Sequence, residues 1–189
     1  MAGDVTAAQG DRDTLEVLVR RFLIALGEDP NREGLRDTPR RVAAFWHGFL
    51  HPEPENLDVT FEVYTADQLV VVSCQSFSVC EHHLLPFIFK AWVGYLAKGR
   101  VVGLSKIIRL VHQCSHRLQL QERLAQEIAD GLSGLSGSPD VGVVIVGQHL
   151  CCLMRGVRTE HSFYTSVLRG ELREDPALRS EFLSLVGYG

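Results

Sequence analysis

The stretch FIFKAWVGYL, residues 87–96, combines aromatic and β-branched residues and therefore predicts a β-strand. The turn-forming sequence AKGR at residues 97–100 is expected to end it. A β-branched run at residues 69–72 predicts a strand before it, and the apolar run VGVVIV at residues 141–146 predicts a strand after it. A further extended segment is expected at residues 163–168.

Two helices are predicted between the second and third of these strands. Ser105 is expected to cap the first helix, and the second spans residues 118–132, where leucine and isoleucine recur along one face. Asp175 and Pro176 are expected to open a last short helix. The order strand, strand, helix, helix, strand, strand predicts an α+β domain with an antiparallel sheet and helices on one face.

The N-terminal part of the chain predicts helices only. Apolar residues recur at helical spacing over residues 15–26, with Asp13 as the expected cap and Gly27 at the expected end. Thr38 as N-cap, followed by Pro39, predicts a second helix. Three parts are therefore expected: a flexible tail (residues 1–12), an N-terminal helical segment with a turn-rich connector at 51–58 (residues 13–60), and the main domain (residues 61–189).

Composition excludes several classes of protein. The 189 residues are 46% hydrophobic and 22% charged, which is ordinary for a globular chain. The net charge of −4 gives no chain-wide basic surface for nucleic acid, although a local phosphate pocket remains compatible with it. The uncharged stretch at residues 141–154 is too short for a membrane span, and the N-terminus lacks the pattern of a signal peptide. Five cysteines, an odd number, favour reduced thiols in the cytoplasm, where they can bind metal.

Two clusters of cysteine and histidine suggest a metal site. Cys80 and His83 are three residues apart in the sequence CEHH, and thiolate and imidazole are the preferred ligands of zinc. In the later sequence HLCC, His149 and Cys151 would share a face if the preceding strand continues. Cys80, His83 and Cys151 would then leave a fourth position for water, as in catalytic zinc sites. Cys152 is the alternative ligand, but it is expected to face the core.

Other interpretations of these clusters remain open. Four protein ligands would indicate a structural zinc site, and buried free cysteines are common without any metal. Cys80 could also be a nucleophile with His82 or His149 as its base, although the remaining Cys and His residues would then have no explanation.

A third group of residues suggests contacts to a phosphorylated ligand. Ser105 and Lys106 lie at a predicted helix start, where free N–H groups favour anions, and Arg109 follows on the same side. An ordinary capped helix with a solvated basic face is the alternative. Glu122 could accept two N–H hydrogen bonds from a ligand, or it could belong to a solvated helix face. Arg155 follows the second cysteine cluster and could bind phosphate or form a surface ion pair.

Taken together, the chain resembles the GTP cyclohydrolase I family. The resemblance depends on four segments: SVCEHHLLPF (78–87), VGLSKIIRLV (102–111), RLQLQERLAQEIA (117–129) and QHLCCLMRGV (148–157). Weaker support comes from TPRRVAAFW (38–46) and REDPALRSEFLSL (173–185). The segments occur in the order of the family and span most of the chain from the second predicted helix onward.

The resemblance implies a fold, an assembly and a reaction. The fold would be the tunnelling fold (T-fold), assembled as a homo-oligomer, usually a toroidal decamer, with active sites between subunits. The family opens the imidazole ring of GTP by hydrolysis, releases C8 as formate and closes a new ring to give 7,8-dihydroneopterin triphosphate. Zinc would lower the pKa of its water and so supply hydroxide near neutral pH. Neither nucleic acid nor membrane is expected as a partner.

The resemblance also implies roles for single residues. The zinc ligands would be Cys80, His83 and Cys151. Proton transfer would fall to His82 and His149, since the pKa of histidine lies near the working pH. The expected substrate contacts are Gln121 and Glu122 for guanine, and Ser105, Lys106, Arg109 and Arg155 for ribose and triphosphate, with Arg41 as a further candidate.

The chain departs from the family pattern in two places. RTEHSFYTSVLRG stands at residues 158–170, where the family usually has a Ser/Thr-rich stretch. Phe89 stands where glycine is common, and Lys90 and Trp92 are unusual nearby. Two alternatives are therefore kept. The first is a related cyclohydrolase that takes another guanine nucleotide or stops at a formamidopyrimidine. The second is a non-catalytic family member that contains zinc.

Overall fold

The chain folds as two units, Met1–Pro52 and Glu53–Gly189. The structure is a computed structural model and describes residues 3–52, 57, 60–62 and 67–187. The first two residues of the expected tail and most of the expected connector at 51–58 lie outside the described residues. The two units divide after Pro52, and the predicted boundary between residues 60 and 61 stays a prediction.

The first unit consists of two helices packed on each other, α1 (Gly3–Ala25) and α2 (Thr38–Leu50). Because α1 begins at Gly3, residues 3–12 are helical, and Asp13 is not the start of the helix. The helix ends where predicted, since Gly27 adopts a φ of +84°, which favours glycine. Thr38 is the first residue of α2 and Asp37 holds the N-cap position, so the predicted Thr38 cap is wrong by one residue.

The apolar stripe predicted on the first helix is only partly buried. Leu23 is buried, whereas Leu18, Phe22 and Leu26 are each more than half exposed. The periodicity therefore identifies the helix correctly, but most of the apolar stripe remains open in the single chain.

The second unit contains a five-stranded sheet in the order β5-β2-β3-β6-β7. Its strands are β2 (Gln68–Cys80), β3 (Pro86–Ala97), β5 (Leu118–Gln119), β6 (Val141–His149) and β7 (Phe163–Leu168). All neighbouring strands are antiparallel except the short β5, which pairs parallel with the end of β2. Two further strands, β1 (Thr60–Glu62) and β4 (Arg100–Val102), form a separate small sheet. The predicted α+β class and the antiparallel pairing of the main strands are confirmed.

Two element boundaries differ from the prediction because of contacts between distant residues. The strand predicted at residues 69–72 continues to Cys80, because it pairs with β3 as far as Val79. Its polar end also contacts α3 (Leu104–Ser115), where the Ser78 hydroxyl donates to the Ser115 carbonyl oxygen at 2.7 Å. The helix predicted from residue 118 begins only at Gln121, as α4 (Gln121–Ser136), since Leu118 and Gln119 pair with β2.

Helices cover both faces of the sheet. Alternate residues of β3, including Phe89, Val93 and Tyr95, belong to the larger core together with residues of α3 and α4. The intervening residues Trp92 and Leu96 pack into a second core with α6 (Glu171–Glu174) and α7 (Pro176–Gly187). The prediction of helices on one face therefore applies to α3 and α4, and the last two helices lie on the other face.

Two facing glycines make room for α7. Gly94 on β3 pairs directly with Gly142 on β6. A Cβ atom at Gly94 would lie 2.8 Å from Cε2 of Phe182, and one at Gly142 would lie 3.0 Å from Cε1 and Cζ of the same ring. The completely buried Phe182 ring thus occupies the space that two side chains would otherwise fill.

A buried carboxylate fastens the turn after β3 to α6. Asp140 accepts hydrogen bonds from the backbone N–H of Glu171 at 2.9 Å and from Nζ of Lys98 at 3.0 Å. Burial raises the pKa of the Asp140 carboxyl, but these hydrogen bonds lower it by more, so its pKa lies below the usual value.

Both outer strands leave backbone groups open. β2 pairs with β5 only at Val79 and Cys80, so within the described residues its outer edge over residues 68–78 has no strand partner. The outer edge of β7 likewise has none there. Among the described residues, no helix has the length and apolar character needed to cross a membrane.

Candidate active and metal site

Three potential metal ligands converge at one end of the sheet. The ligand atoms of Cys80, His149 and Cys151 all lie within 4.8 Å of one another. Cys80 ends β2, His149 ends β6, and the pairing of Phe87 with His149 brings the two strand ends together through β3. Both cysteines are buried. The chain therefore places two thiols and one imidazole, the donor types that zinc prefers, in one small volume.

His83, predicted as the third ligand, is near this group but outside it. Its Nδ1 atom lies 3.9 Å from Sγ of Cys80. The side chain is exposed on the short loop between β2 and β3, where Leu84 adopts a positive φ of 53°. The structure thus brings Cys80 and Cys151 together as predicted, and it groups them with His149 rather than with His83.

Cys151 reaches the site from a helix, not from a strand. β6 ends at His149, and α5 (Leu150–Leu153) follows it directly, so the expected continuation of the strand is wrong. Cys152 is half-buried and packs against the larger core, but it also lines the cavity at this site, so the expectation that it faces only the core is wrong. Burial raises the pKa of the Cys151 thiol to about 11, and the neighbouring Cys80 and Cys152 add to the effect. Without a cation, Cys151 is therefore a neutral thiol at pH 7, and a bound cation would reverse this preference.

A cavity of about 380 Å³ opens over the three ligand atoms. The predicted site residues that line it are Cys80, His82, His83, Gln121, Glu122, His149 and Cys151. Glu122 is exposed in the first turn of α4. Every residue predicted for zinc, proton transfer or guanine thus lines one cavity.

The loop that carries the CEHH sequence is held against α4. The backbone N–H of Cys80 donates to the Leu85 carbonyl oxygen at 2.9 Å, which closes the loop. Arg123 donates from Nη2 to the Glu81 carboxylate and from Nε to Oε1 of Gln119 at 2.7 Å. Arg123 is not predictable as a site residue from the sequence, because a charged residue on an amphipathic helix carries no sign of its partner.

Three neighbouring residues hold His149 in place at the cavity wall. Its ring stacks on Phe87 at 4.5 Å with the planes 6° apart, and its Nε2 atom lies 3.1 Å from Oε1 of Gln121. Its backbone N–H donates to Nε2 of His161 at 3.3 Å. Burial lowers the pKa of His149, and His161 lowers it further, while Glu122 raises it less, so the ring is mainly neutral at pH 7.

Gln121 is completely buried and fully engaged inside the chain. Its Nε2 atom donates to the carbonyl oxygens of Phe163 at 2.8 Å and Ile145 at 3.3 Å, and it lies 3.2 Å from the Thr165 hydroxyl. A side-chain contact from Gln121 to guanine, expected from the resemblance, would have to break these bonds. The side chain instead connects α4, β6 and β7.

The residues predicted to bind ribose and triphosphate are not brought to this cavity. Ser105, Lys106 and Arg109 lie in the first turns of α3, and none of them lines it. Gly103, not Ser105, holds the N-cap position of α3, so that prediction is wrong. Arg155 is exposed after α5 and is also not part of the cavity wall.

Arg41 belongs to the first unit. On α2 its Nη2 atom lies 3.4 Å from the Asp37 carboxylate, one turn away. Its predicted contact to substrate stays a prediction.

His161 and Phe163 were not predicted as site residues, although both line the cavity. Nδ1 of His161 lies 3.0 Å from the Thr159 carbonyl oxygen, and its Nε2 accepts the His149 N–H. The available signal was the departure from the Ser/Thr-rich pattern of the resembled family at residues 158–170.

Comparison with known proteins gives one consistent result. The family model described as GTP cyclohydrolase I matches residues 15–187. A GTP cyclohydrolase 1 of Hyperthermus butylicus is 45% identical, with 93% of this chain and 91% of the relative covered. A protein of the same name from a Sulfurihydrogenibium species is 48% identical, with 93% of this chain and 95% of the relative covered. A third GTP cyclohydrolase 1, from Alkalilimnicola ehrlichii, is 43% identical, with 92% of this chain and 97% of the relative covered.

The matched region includes both strand ends, the α4 start and α5, which together build the cavity. The relatives are covered over nearly their whole lengths, so the similarity extends beyond a single motif. On this evidence, the chain belongs to the GTP cyclohydrolase I family.

Proposed function

We propose that this chain is a zinc-dependent GTP cyclohydrolase I. It would open the guanine imidazole ring of GTP by hydrolysis, release formate and close a new ring to give 7,8-dihydroneopterin triphosphate. The observation that carries the proposal is the convergence of Cys80, Cys151 and His149 in a cavity that Glu122 also lines. The names of the relatives support the same substrate and reaction.

The donor set fits zinc. We assign Cys80, Cys151 and His83 as the residues that would hold it. Zinc–sulfur and zinc–nitrogen bonds at a tetrahedral angle require a sulfur–nitrogen separation of roughly 3.5 Å. The separation of 3.9 Å between Cys80 and His83 is close to this value. When bound, zinc supplies a Lewis acid that makes water nucleophilic near neutral pH.

The imidazoles in the cavity would move protons. Hydrolysis at C8 requires a proton on the imidazole ring of guanine, and opening of that ring requires further transfers. His149 is suited to this transfer because its ring is mainly neutral, fixed in orientation and adjacent to the ligand group, so it can take a proton from the attacking water and pass it to the guanine nitrogen. His82 is exposed at the cavity wall, with its ring centroid 6.1 Å from that of His83, and would exchange protons with solvent.

Glu122 would recognise the base. Its carboxylate can accept two hydrogen bonds, and guanine presents N1–H and the 2-amino group as two neighbouring donors. The side chain lies at the N-terminus of α4 on the cavity wall, where a planar base could reach it.

The rest of the site would come from a neighbouring subunit of a homo-oligomer, for which the family suggests a decamer. Three features support this assembly. The α3 residues Ser105, Lys106 and Arg109 do not line the cavity of their own chain. Apolar residues of α1 are exposed. The outer edges of β2 and β7 are open within the described residues, and open edges favour pairing with another chain.

The proposal is tested by product and metal analysis. Incubation with GTP should give the pterin triphosphate and one formate per GTP, identified by mass spectrometry. A ring-opened product that keeps the formyl group would indicate the formamidopyrimidine alternative. No conversion of any guanine nucleotide by a zinc-loaded, assembled protein would contradict an enzymatic role.

Histidine variants test the assigned roles. His149→Ala and His82→Ala should keep zinc and lose pterin formation by roughly 10²- to 10⁴-fold, the range for a general acid–base group. His83→Ala should lose zinc. His51→Ala, at an exposed histidine of the first unit, is the matched control and should change neither. Loss of zinc from His149→Ala with retention in His83→Ala would make His149 the third ligand.

A further inference from the structure

The amide orientation of Gln121 is fixed by its surroundings. On one side it faces the carbonyl oxygens of Ile145 and Phe163, which can only accept hydrogen bonds. The group on that side must therefore be the NH₂, which leaves Oε1 to face His149. Exchanging the two amide atoms would put an oxygen against two carbonyl oxygens, which is repulsive.

This orientation determines where the proton of the neutral His149 ring lies. Oε1 of Gln121 can only accept, and Nε2 of His149 lies 3.1 Å from it. Nε2 must then carry the hydrogen and donate it, so Nδ1 carries the lone pair. A neutral imidazole has a single ring proton, and its partner selects the tautomer.

We infer that Gln121 is a positioning residue that holds His149 in the Nε2–H tautomer and leaves Nδ1 as the ring nitrogen that can accept a proton. The tautomer assignment depends only on the contacts of Gln121 and His149. The catalytic consequence rests on the proposed function.

The strand next to Gln121 has a gap that its side chain fills. Gly147 lies on β6, two residues before His149, and a Cβ atom there would overlap Oε1 of Gln121. Glycine in a strand interior often marks a place where another group approaches closely. Gly147 is therefore required for the contact between Gln121 and His149.

The stacking of His149 on Phe87 restricts rotation of the imidazole ring, so the ring cannot correct an unsuitable tautomer by turning over. With the two ring planes 6° apart and 4.5 Å between centroids, the imidazole has little freedom to turn over and exchange its two nitrogens. A ring held in this plane keeps Nε2 at Gln121 and Nδ1 away from it. In the Nδ1–H tautomer, Nδ1 would carry the hydrogen and could not accept a proton.

The tautomer can be measured directly, without substrate. In the zinc-loaded protein labelled with ¹⁵N-histidine, solid-state NMR at pH 8 distinguishes protonated from unprotonated ring nitrogens. The His149 signals are those absent from His149→Asn. We expect a protonated Nε2 and an unprotonated Nδ1. A protonated Nδ1 in the unaltered protein would refute the inference whatever the variants do.

Variants then test whether Gln121 is the cause. Gln121→Leu should give a mixture of tautomers and lower kcat by roughly 10- to 100-fold with little change in KM, as for partners that orient catalytic groups. Gly147→Ala should act like Gln121→Leu, because it displaces the amide without removing it.

Two controls keep the test decisive. Gly134→Ala makes the same substitution on α4, where no atom lies within 4 Å of the new Cβ. It should change neither the His149 tautomer nor kcat. If Gln121→Leu fails to fold, Gly147→Ala still reports on the tautomer. A folded Gly147→Ala protein with the Nε2–H tautomer and unchanged kcat would contradict the role of Gln121. A protein that shows the predicted tautomer but does not convert GTP would refute the proposed function alone.

Discussion

Replacement of Glu122 by Gln is a direct test of base recognition. Glu122 lies in the first turn of α4 on the cavity wall and is exposed in the single chain, so the change should not disturb folding. Glutamine keeps the size and one acceptor oxygen, but it presents an NH₂ group where guanine presents a donor. One of the two proposed hydrogen bonds is therefore lost.

The expected size and sign of the effect can be worked out. A hydrogen bond to a charged group contributes about 1.5–3 kcal/mol. Its loss should raise the Kd for GTP by about 10- to 150-fold, since each 1.4 kcal/mol is a factor of ten. The triphosphate of GTP is strongly negative, so removing a carboxylate that merely lies nearby would tighten binding instead. The sign thus separates recognition of the base from general electrostatics.

The assay is calorimetric titration with GTP and with inosine triphosphate, which lacks the 2-amino group. A His149→Ala background suppresses turnover during the titration. Glu122→Gln should weaken GTP binding more than inosine triphosphate binding. Asp130→Asn makes the same charge change on the same helix, where the side chain is 66% exposed, and should affect neither ligand. Unchanged or tighter GTP binding, or equal losses for both nucleotides, would refute the reasoning.

Three further predictions concern the metal, the segment before β7 and the buried carboxylate. Cys151→Ala should lose zinc and pterin formation while Cys152→Ala keeps both; metal analysis checks this, and the opposite result would exchange the two residues. His161→Ala should lower kcat by roughly 10- to 100-fold, whereas His161→Gln, which can accept the same backbone N–H, should keep most activity in a steady-state assay. Asp140→Asn should lower stability at pH 7 by about 1–3 kcal/mol. Because the pKa of Asp140 is depressed in the folded state, its contribution to the free energy of unfolding is present above the unfolded pKa of about 4 and is lost as the pH falls through the folded pKa. Urea unfolding should therefore show the difference in stability between the unaltered protein and Asp140→Asn disappearing in acid.

The strands that depend on local pattern were predictable from the sequence. Residues 87–96 and 141–146 are apolar, rich in aromatic or β-branched residues and bounded by turn signals, and both are strands in the structure. The second half of β2 was not predictable, because its serines are held by α3, some 37 residues away along the chain. The short β5 was missed for a similar reason, since Leu118 fits a helical period and only its pairing with Val79 makes it a strand.

The residue types of the site were predictable from the sequence, but their arrangement in space was not. The types and spacing of Cys80, His83 and Cys151 indicate metal, and the structure brings the two cysteines together. Which histidine joins them depends on the turn from β6 into α5, which no local pattern specifies. The state of Gln121 also could not be foreseen, because a glutamine at a helix start is as compatible with ligand binding as with complete burial. Its three acceptors come from β6 and β7, on elements distant in sequence.

Gly94, Gly142 and Phe182 share one volume, because the Phe182 ring lies where side chains of the two facing glycines would otherwise be. A new Cβ at either glycine would meet the Phe182 ring, and it would also lie 3.1 Å from Val71 at Gly94 and 2.8 Å from Leu172 at Gly142. A smaller side chain at 182 would leave a void beside both glycines. Compatible substitutions at these positions therefore come as compensating pairs, large for small. A Gly94→Ala change that is harmful alone should be better tolerated beside Phe182→Leu, so the size of one side chain on the last helix limits what the middle of the sheet can carry.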